Sequence, residues 1–344
     1  MKTILKLLAL IVCLAAALFA YNWLRDNKMP NFYGKAELYV GEKTTPDDVV
    51  DSLKKHLRVL SERRLRKVFA EKKVAEFIKP GHYQVNSKHS SVYVARMLNN
   101  GWQTPVRFTL AGSLRTGGEI ARKIASQLEA DSASVAAALS DSALLARFGV
   151  TPENIFPAFF PATYDIYWNA SVEDVLERCR KASDAFWTED NLVKAARAGL
   201  SRSEAVVLAS IVKGESHYKP ELSKIAGVYL NRLKRGMLLQ ADPTVAYCYD
   251  YELKRVLYRH LEFDSPYNTY KYAGLPPGPI CVPDKEYLEA VLNPDYGGGN
   301  LYFCASKNLD GTHVFAKTLE AHNRNAKAFQ NALTKKIAKY IVKR

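Results

Sequence analysis

The segment best suited to catalysis is LSRSEAVVLASIVKGESHY, residues 200–218. Its apolar side chains recur at helical spacing over more than half of the helix circumference, which predicts a buried helix. Ser201, followed three residues later by Glu204, forms a capping box that marks the start of this helix. Glu215 comes four residues after Ile211, so it shares a face with apolar side chains. A carboxyl group in such surroundings has a raised pKa, as a general acid requires.

Two interpretations of Glu215 follow from the helix alone. Gly214 and the polar run behind it predict that the helix ends near Glu215, at the lip of a cleft. The alternative is an exposed glutamate at a helix end, paired with Lys213 or Lys219, and helix geometry by itself favours this alternative because most such glutamates are solvated.

Two later stretches have the composition of carbohydrate sites. They are MLLQADPTVAY, residues 237–247, and DSPYNTYKYAGLPPGPI, residues 264–280. Both combine Pro and Gly with Tyr, Asn, Thr or Gln and contain few formal charges. Aromatic faces stack on sugar rings, while amides and hydroxyls bond sugar hydroxyls. Composition alone is equally consistent with a pair of packed structural loops.

The helices and strands that the sequence predicts around these residues indicate an α+β protein. VRFTL (106–110) reads as a strand that opens a larger domain, and helical patterns follow at 117–130 and 171–187. Residues 155–168 are aromatic and proline-rich, which favours irregular structure or strand. The region before VRFTL predicts a smaller α+β module that lacks a cluster of catalytic residue types.

Short sequence patterns within the small module predict where its helices and its strand lie. Thr45 and Pro46 start a helix, and residues 61–73 have the spacing of an amphipathic helix with a basic face. KPGHYQV (79–85) predicts a turn into a strand, and residues 90–102 predict a short helix ended by Gly101.

The N-terminus contains a candidate membrane anchor. Residues 7–24 carry no charge over eighteen positions, close to the length that a bilayer-spanning helix needs. Tyr21 and Trp23 lie where interfacial aromatics anchor a helix, and a weak charge bias favours a cytoplasmic N-terminus. A cleaved signal peptide is the alternative, since alanines 15–17 and Ala20 offer a cleavage site. Either way, the sequence predicts that the rest of the chain is exported.

The net charge limits the kinds of partner that the sequence predicts, and the cysteines limit the metal sites and disulfides. The net charge of +14 suits an anionic membrane, an anionic cell wall or nucleic acid. An exported chain rarely meets nucleic acid, so we expect no nucleic-acid partner. Four cysteines outside the anchor are widely scattered without metal-ligand spacing, which leaves two disulfides open and makes free thiols the default expectation.

Four ordered motifs between about Val106 and Asn325 resemble the endolytic murein transglycosylase family. They are LASIVKGES, AGVYLNRLKRGMLLQADPTVAY, SPYNTYKYAGLPPGPI and HVFAKTLEAHNRNA. The resemblance implies a transmembrane anchor with flanks at 1–28, a LysM-like module at 29–105 containing KPGHYQV, and a catalytic α+β domain at 106–344. The pattern S-I-V-E-x-E of that family, whose second glutamate is catalytic, places this role on Glu215.

The activity implied by the resemblance is a lyase reaction without metal or cofactor. The family cleaves the bond between N-acetylmuramic acid and N-acetylglucosamine in nascent peptidoglycan strands and leaves 1,6-anhydro-muramic acid ends. Partners implied are glycan strands, the bacterial inner membrane and glycan-polymerising synthases, with a single-pass topology and a periplasmic catalytic domain. For substrate positioning we expect Gln240, Asp242, Asn268, Thr269 and Tyr270.

Three departures keep other hypotheses open. The first glutamate of the family pattern is Lys213 here, and acidic residues usual elsewhere are Ala111 and Ala162. A lysozyme-type hydrolase is the nearest rival and needs Asp242 as nucleophile or base. A wall-binding scaffold without catalysis is a third hypothesis, because resemblance of fold does not guarantee activity.

Overall fold

The computed structural model describes residues 2–341, which divide into two compact units. The first unit takes in the chain up to Phe108 together with residues 127–130 and 164–171. The second unit comprises Thr109–Ser126, Asp131–Thr163 and the chain from Val172 onward. Both units mix helices with short strands, which confirms the predicted α+β class.

Within residues 2–105, the first unit contains five helices and four short strands. The helices are α1 (Lys2–Asn27), α2 (Pro46–His56), α3 (Glu62–Glu71), α4 (Val74–Phe77) and α5 (Ser91–Asn100). The strands are β1 (Phe32–Tyr33), β2 (Lys35–Val40), β3 (Arg58–Val59) and β4 (Gly81–Asn86).

Helix α1 is the candidate anchor. Between Lys6 and Asn27 it is long and apolar enough to cross a membrane by length and composition, and none of its most apolar 18-residue window is buried in the protein. Its large apolar side chains, such as Phe19 and Trp23, are exposed. A signal sequence passes the same test, so the retained anchor stays a prediction.

The core of the first unit lies behind a two-stranded sheet. Strands β2 and β4 pair antiparallel, with Lys35 opposite Asn86 and Val40 opposite Gly81. Alternate residues of β2 point inward, as the period of two in a strand requires. Helices α2, α3 and α5 cover them with residues that include Leu53 and Leu65.

The predicted local signals of the module are confirmed. Thr45 caps α2 through a capping box with Asp48, and Pro46 is the first helical residue. Helix α3 buries its apolar face as predicted. Gly101 ends α5 with a φ of 66°, a conformation that favours glycine. The LysM-like character of the module stays a prediction.

Strands β5 (Val106–Leu110) and β6 (Ala162–Ile166) pair with each other, and the division between the units falls within both strands. Strand β5 has the bounds that the sequence predicts. The proline-rich segment 155–168 contains both predicted alternatives, since β6 covers 162–166 and the residues before it form a short 3₁₀ turn and irregular structure.

The second unit is mainly helical. Its helices are α6 (Gly117–Ala125), α7 (Ser132–Ala138), α8 (Ser142–Ala146), α9 (Val172–Phe186), α10 (Glu189–Arg197), α11 (Arg202–Glu215), α12 (Leu222–Lys234), α13 (Asp242–Cys248), α14 (Lys285–Leu292) and α15 (Leu319–Ile341). Its remaining strands, β7 (Tyr302–Ala305) and β8 (His313–Ala316), form an antiparallel pair. Helix α11 is central, since α10, α12, α13 and α14 all pack against it.

One predicted helix is shorter in the structure. The pattern from 117 to 130 predicts a longer helix, but α6 ends at Ala125. The four residues 127–130 belong to the first unit, where the Glu129 amide donates to the Trp168 carbonyl and Leu128 is buried. These tertiary contacts replace the helical hydrogen bonds that local propensity favours.

All five cysteines are free thiols, so neither of the two possible disulfides forms.

Candidate active site

Helix α11 carries Glu215 at its last position, as the sequence predicts. The capping box of Ser201 and Glu204 is present at its start. Leu208 and Ile211, which share the face of Glu215, are fully buried. A buried helix of this kind fixes its final residue firmly, because the core holds the turns that precede it.

Gly214 allows the start of α13 to approach the end of α11. A Cβ atom at this position would lie 2.4 Å from Cβ of Pro243, far inside contact distance. Pro243 follows Asp242, the first residue of α13. The close approach brings the carboxylate of Asp242 into the electrostatic surroundings of Glu215.

The carboxyl group of Glu215 has one direct hydrogen bond, from a buried tyrosine. Oη of Tyr229, on α12, donates to Oε1 of Glu215 over 2.6 Å. Among the residues that the structure describes, no hydrogen bond reaches Oε2. The proton that a general acid transfers can therefore reside on Oε2 while Tyr229 fixes the orientation of the group.

The surroundings raise the pKa of Glu215 to about 7. Loss of water around the carboxylate is the main cause, because protein atoms surround a group that is only partly exposed. The hydrogen bond from Tyr229 and the charge of Arg232 lower this pKa, and the negative charge of Asp242 raises it. A carboxyl group with a pKa near neutrality can both donate and accept a proton, as acid–base catalysis requires.

Arg232 is held away from direct pairing with Glu215. Its guanidinium is buried and donates to the backbone carbonyls of Leu239 (2.7 Å) and Leu301 (2.6 Å). It therefore acts on Glu215 as a fixed positive charge and also holds the segment that leads into Gln240.

Asp242 is exposed and paired with a second tyrosine. Oη of Tyr270 donates to Oδ1 of Asp242 over 2.6 Å, and this contact joins the two loops predicted to form the site. Burial and the neighbouring carboxylate of Asp242 raise the pKa of Tyr270, so it stays a donor. Of the predicted substrate-binding residues, the structure thus brings Asp242 and Tyr270 together beside Glu215.

The other three predicted substrate-binding residues differ in exposure. Gln240 is exposed and adopts a φ of 50°, an uncommon conformation for a residue with a side chain. Asn268 is fully buried and donates to the carbonyls of Leu261 and Phe263, both over 2.8 Å. Thr269 is also buried and accepts from the Ala241 amide. A role in substrate binding stays a prediction for each, and the geometry favours an indirect, loop-holding role for Asn268 and Thr269.

Lys213 is a structural cation and does not pair with Glu215. Its Nζ lies 2.7 Å from Asp284 and donates to the carbonyls of Gly112 (3.0 Å) and Val282 (2.9 Å). The side chain is 7% exposed. The interpretation of Glu215 as a solvated glutamate paired with Lys213 or Lys219 is therefore wrong, since Lys219 pairs with Glu286.

Glu221, the other nearby carboxylate in the sequence, is engaged elsewhere. It is buried and accepts from the backbone amide (3.0 Å) and contacts Nδ1 (2.8 Å) of His313 at the start of β8. Ala111 is exposed and Ala162 is partly buried, so neither supplies a charge that would substitute for the usual acidic residue.

Within residues 2–341, no three His, Cys, Asp or Glu side chains converge where they could hold a metal ion.

Sequence reasoning missed Tyr229 and Arg232. Both lie in the motif AGVYLNRLKRG, three residues apart and therefore on one face of α12. Nothing in their spacing relative to Glu215 marks them. A Tyr and an Arg on an otherwise apolar face of a predicted helix are the sequence signal that could have found them.

Two curated bacterial proteins that share one name resemble this chain over about half of its length. The chain is 42% identical over 166 residues to a Bacillus subtilis protein named endolytic murein transglycosylase, a match that covers 48% of this chain and 45% of that protein. A Streptococcus pneumoniae protein of the same name is 31% identical over 179 residues, covering 50% of this chain and 32% of that protein. The chain thus spans less than half the length of the curated relatives it matches.

A solved structure and a family model each match most of the chain. A crystal structure of a yceG-like protein from Listeria monocytogenes superposes with a TM-score of 0.54 and 25% identity, covering 85% of this chain and 99% of that one. The model of the YceG-like family matches residues 38–328, which include Glu215 and both loops. The chain belongs to the YceG-like family.

Proposed function

We propose that this protein is an endolytic peptidoglycan lytic transglycosylase with Glu215 as its catalytic acid and base. The observation that carries the proposal is the carboxyl group of Glu215, held by Tyr229 at the end of a buried helix with a pKa of about 7. The names of the Bacillus and Streptococcus relatives support the same activity.

The reaction needs one proton donor that later becomes the acceptor. Protonated Glu215 donates to the glycosidic oxygen between N-acetylmuramic acid and N-acetylglucosamine, and the bond from that oxygen to the muramyl C1 breaks. The carboxylate then removes the proton from the muramyl C6 hydroxyl, whose oxygen bonds to C1 and closes the 1,6-anhydro ring. Water is not consumed, and Glu215 ends the cycle protonated.

Neighbouring residues take supporting roles in this scheme. Tyr229 orients the carboxyl group and stabilises its ionised form, and Arg232 contributes positive charge. Asp242 and Tyr270, as a hydrogen-bonded pair, position the sugar at the cleavage point together with Gln240. Asp242 makes the positive charge developing at C1 less unfavourable without attacking it.

The N-terminal region fits an enzyme that acts on the wall from the membrane. We propose that α1 is a retained single-pass anchor in the inner membrane, with a cytoplasmic N-terminus and the rest of the chain periplasmic. The LysM-like module then binds glycan, and glycan-polymerising synthases supply the nascent strands that the enzyme trims.

Digestion of purified peptidoglycan tests the proposal. Wild type should release soluble fragments, and both Glu215→Gln and Glu215→Asp should be severely impaired. Gln retains the size but has no proton to give, and Asp withdraws the carboxyl group by one methylene. Acid–base catalysis contributes about 10²–10⁴-fold, which sets the scale of the loss. Wild type without any cleavage would instead favour the wall-binding scaffold.

A further inference from the structure

A groove of about 450 Å³ lies in the second unit, apart from the residues that surround Glu215. Its walls come from the start of α6, the end of α7, the segment around residues 152–156 and the end of α13. Polar groups that face it include the side chains of Arg115, Ser140 and Ser265, and its aromatic wall includes Tyr247, Tyr251 and Phe263.

Arg115 is the cation of the groove, and neither of the two carboxylates that also line it, Glu153 and Asp250, forms a salt bridge with it. The guanidinium of Arg115 lies over the ring of Tyr251, 5.2 Å from its centroid. Within residues 2–341, no carboxylate comes within salt-bridge distance of Arg115. Glu119, the nearest acid in sequence, uses its carboxylate to accept from the Arg115 amide (2.7 Å) and from the Ser113 hydroxyl. The guanidinium is therefore available to an anionic ligand.

The aromatic wall is firmly built. Oη of Tyr251 donates to the Ile280 carbonyl over 2.5 Å, and its ring contacts that of Tyr247. Tyr247 in turn contacts Phe156 and Tyr267. Rings fixed in this way offer a preformed apolar surface for the aliphatic part of a ligand.

Helix α13 links the groove to the site of cleavage. Its first residue, Asp242, lies in the electrostatic surroundings of Glu215, and its last two, Tyr247 and Cys248, line the groove. Six helical steps separate Asp242 from Cys248, which is about 9 Å. A ligand in the groove is thus close enough to be part of the same substrate as the bond that is cut.

We infer that this groove binds the peptide stem of peptidoglycan and that Arg115 pairs with a carboxylate of the stem. The inference rests on the proposed function. Stems branch from muramic acid, the sugar at which the strand is cut, so they must lie within a short distance of Glu215. A stem combines free carboxylates with aliphatic side chains, which match the cation and the aromatic wall. A stem that contains a diamino acid also carries a positively charged amino group. The exposed carboxylates of Glu153 and Asp250 in the groove can pair with this group.

The test compares two substrates of equal glycan length, one with stems and one from which an amidase has removed them. Wild type should have the lower KM for the strand with stems. Arg115→Gln should raise the KM for that strand roughly ten-fold, the usual effect of losing a charge-assisted hydrogen bond, and leave turnover of the bare strand unchanged. Arg115→Lys should fall between them, since it retains charge without the planar fork. Arg197→Ala, an exposed arginine of α10, is the matched control and should change neither value.

Equal loss on both strands would overturn the inference, because the groove would then hold glycan or support the fold. No loss on either strand would overturn it as well. If wild type cleaves neither strand, the proposed activity fails, and calorimetry with the free stem peptide decides the groove separately. Binding by wild type that is lost in Arg115→Gln supports the site, and equal or absent binding contradicts it.

Discussion

At the scale of single residues, the proposed chemistry depends on one carboxyl group whose neighbours have opposite effects on its pKa. Loss of water raises the pKa of Glu215, while Tyr229 and Arg232 lower it, and the balance lies at about 7. A fully apolar pocket would raise the pKa of Glu215 further and make its protonated form a weaker acid for the first step of cleavage. The hydrogen bond from Tyr229 limits this rise in the pKa of Glu215. It adds no second group that titrates in the same range, since burial and the charge of Glu215 raise the pKa of Tyr229 as well.

Tyr229→Phe tests this balance through the pH dependence of cleavage. In the proposed mechanism cleavage starts from protonated Glu215, so kcat/KM should be level at low pH and fall as the pH rises through about 7. The hydrogen bond from Tyr229 favours the ionised form, so its removal raises the pKa of Glu215. The descending limb should therefore move to higher pH by roughly one unit.

The control for this shift is Tyr287→Phe, another buried tyrosine, which contacts His217 rather than Glu215. It should leave the limb where it is in wild type. A limb that stays in place in Tyr229→Phe would show that Tyr229 does not set the protonation of Glu215.

Sequence reasoning reached Glu215 but not its partners. Helical spacing placed the glutamate beside apolar residues, and the family motif gave it a role. Tyr229 is fourteen residues away on another helix, and its distance from Glu215 depends on how α11 and α12 pack. The same limit applies to Asn268 and Thr269, whose polar types suggest ligand contact although their side chains are buried in loop hydrogen bonds.

At the scale of elements, α11 is held at both ends by contacts that the sequence only partly reveals. Its start was predictable, because a capping box is a local pattern. Its end depends on Gly214, which admits Pro243, and on Lys213, which ties the last turn to Asp284 at the start of α14. The bounds of β5 and α5 were also predictable, because they depend on local sequence patterns. The early end of α6 was not, because it follows from contacts in the first unit.

The pair of the buried Lys213 and the partly exposed Asp284 should be important for stability. Lys213→Met leaves the partly exposed Asp284 without its cation and two carbonyls without their donor, and should lower the free energy of unfolding by about 1–3 kcal/mol. Lys213→Met combined with Asp284→Asn should recover part of this loss, because neither charge then stays unpaired. Urea denaturation of the detergent-solubilised chain measures both effects.

Lys285→Ala is the matched control for that pair. Lys285 forms an exposed pair with Glu289 on the same helix, α14, and such pairs contribute about 0–1 kcal/mol. A loss in Lys213→Met no larger than in Lys285→Ala would contradict the structural role of Lys213.

At the scale of the whole molecule, the candidate anchor continues into the module without a flexible linker. The last turn of α1 is bound by side chains of the module: Ser90 donates to the Asn27 carbonyl (2.9 Å) and Lys67 pairs with Asp26 (3.2 Å). Arg64 donates to the Arg25 carbonyl over 3.3 Å. If α1 crosses the membrane, these contacts hold the module at the membrane surface.

Fractionation and a reporter fusion test the topology. The full chain should sediment with membranes, and a reporter fused after Lys28 should be active outside the cytoplasm. A fusion that ends at Lys6 is the control, and its reporter should stay in the cytoplasm because the apolar segment is missing. Recovery of a soluble mature protein lacking Met1 to Ala20 would show that the segment is a cleaved signal.

The identity of the product ends tests the central claim most directly. Mass spectrometry of a peptidoglycan digest should find wild-type fragments ending in 1,6-anhydro-muramic acid, each one water lighter than a hydrolysis product. Glu215→Gln should give no such fragments, and Asp242→Asn should give them more slowly, because in the proposed mechanism Asp242 positions the sugar and transfers no proton. Fragments with reducing ends, together with an Asp242→Asn variant as inactive as Glu215→Gln, would mean that the enzyme is a two-carboxylate hydrolase.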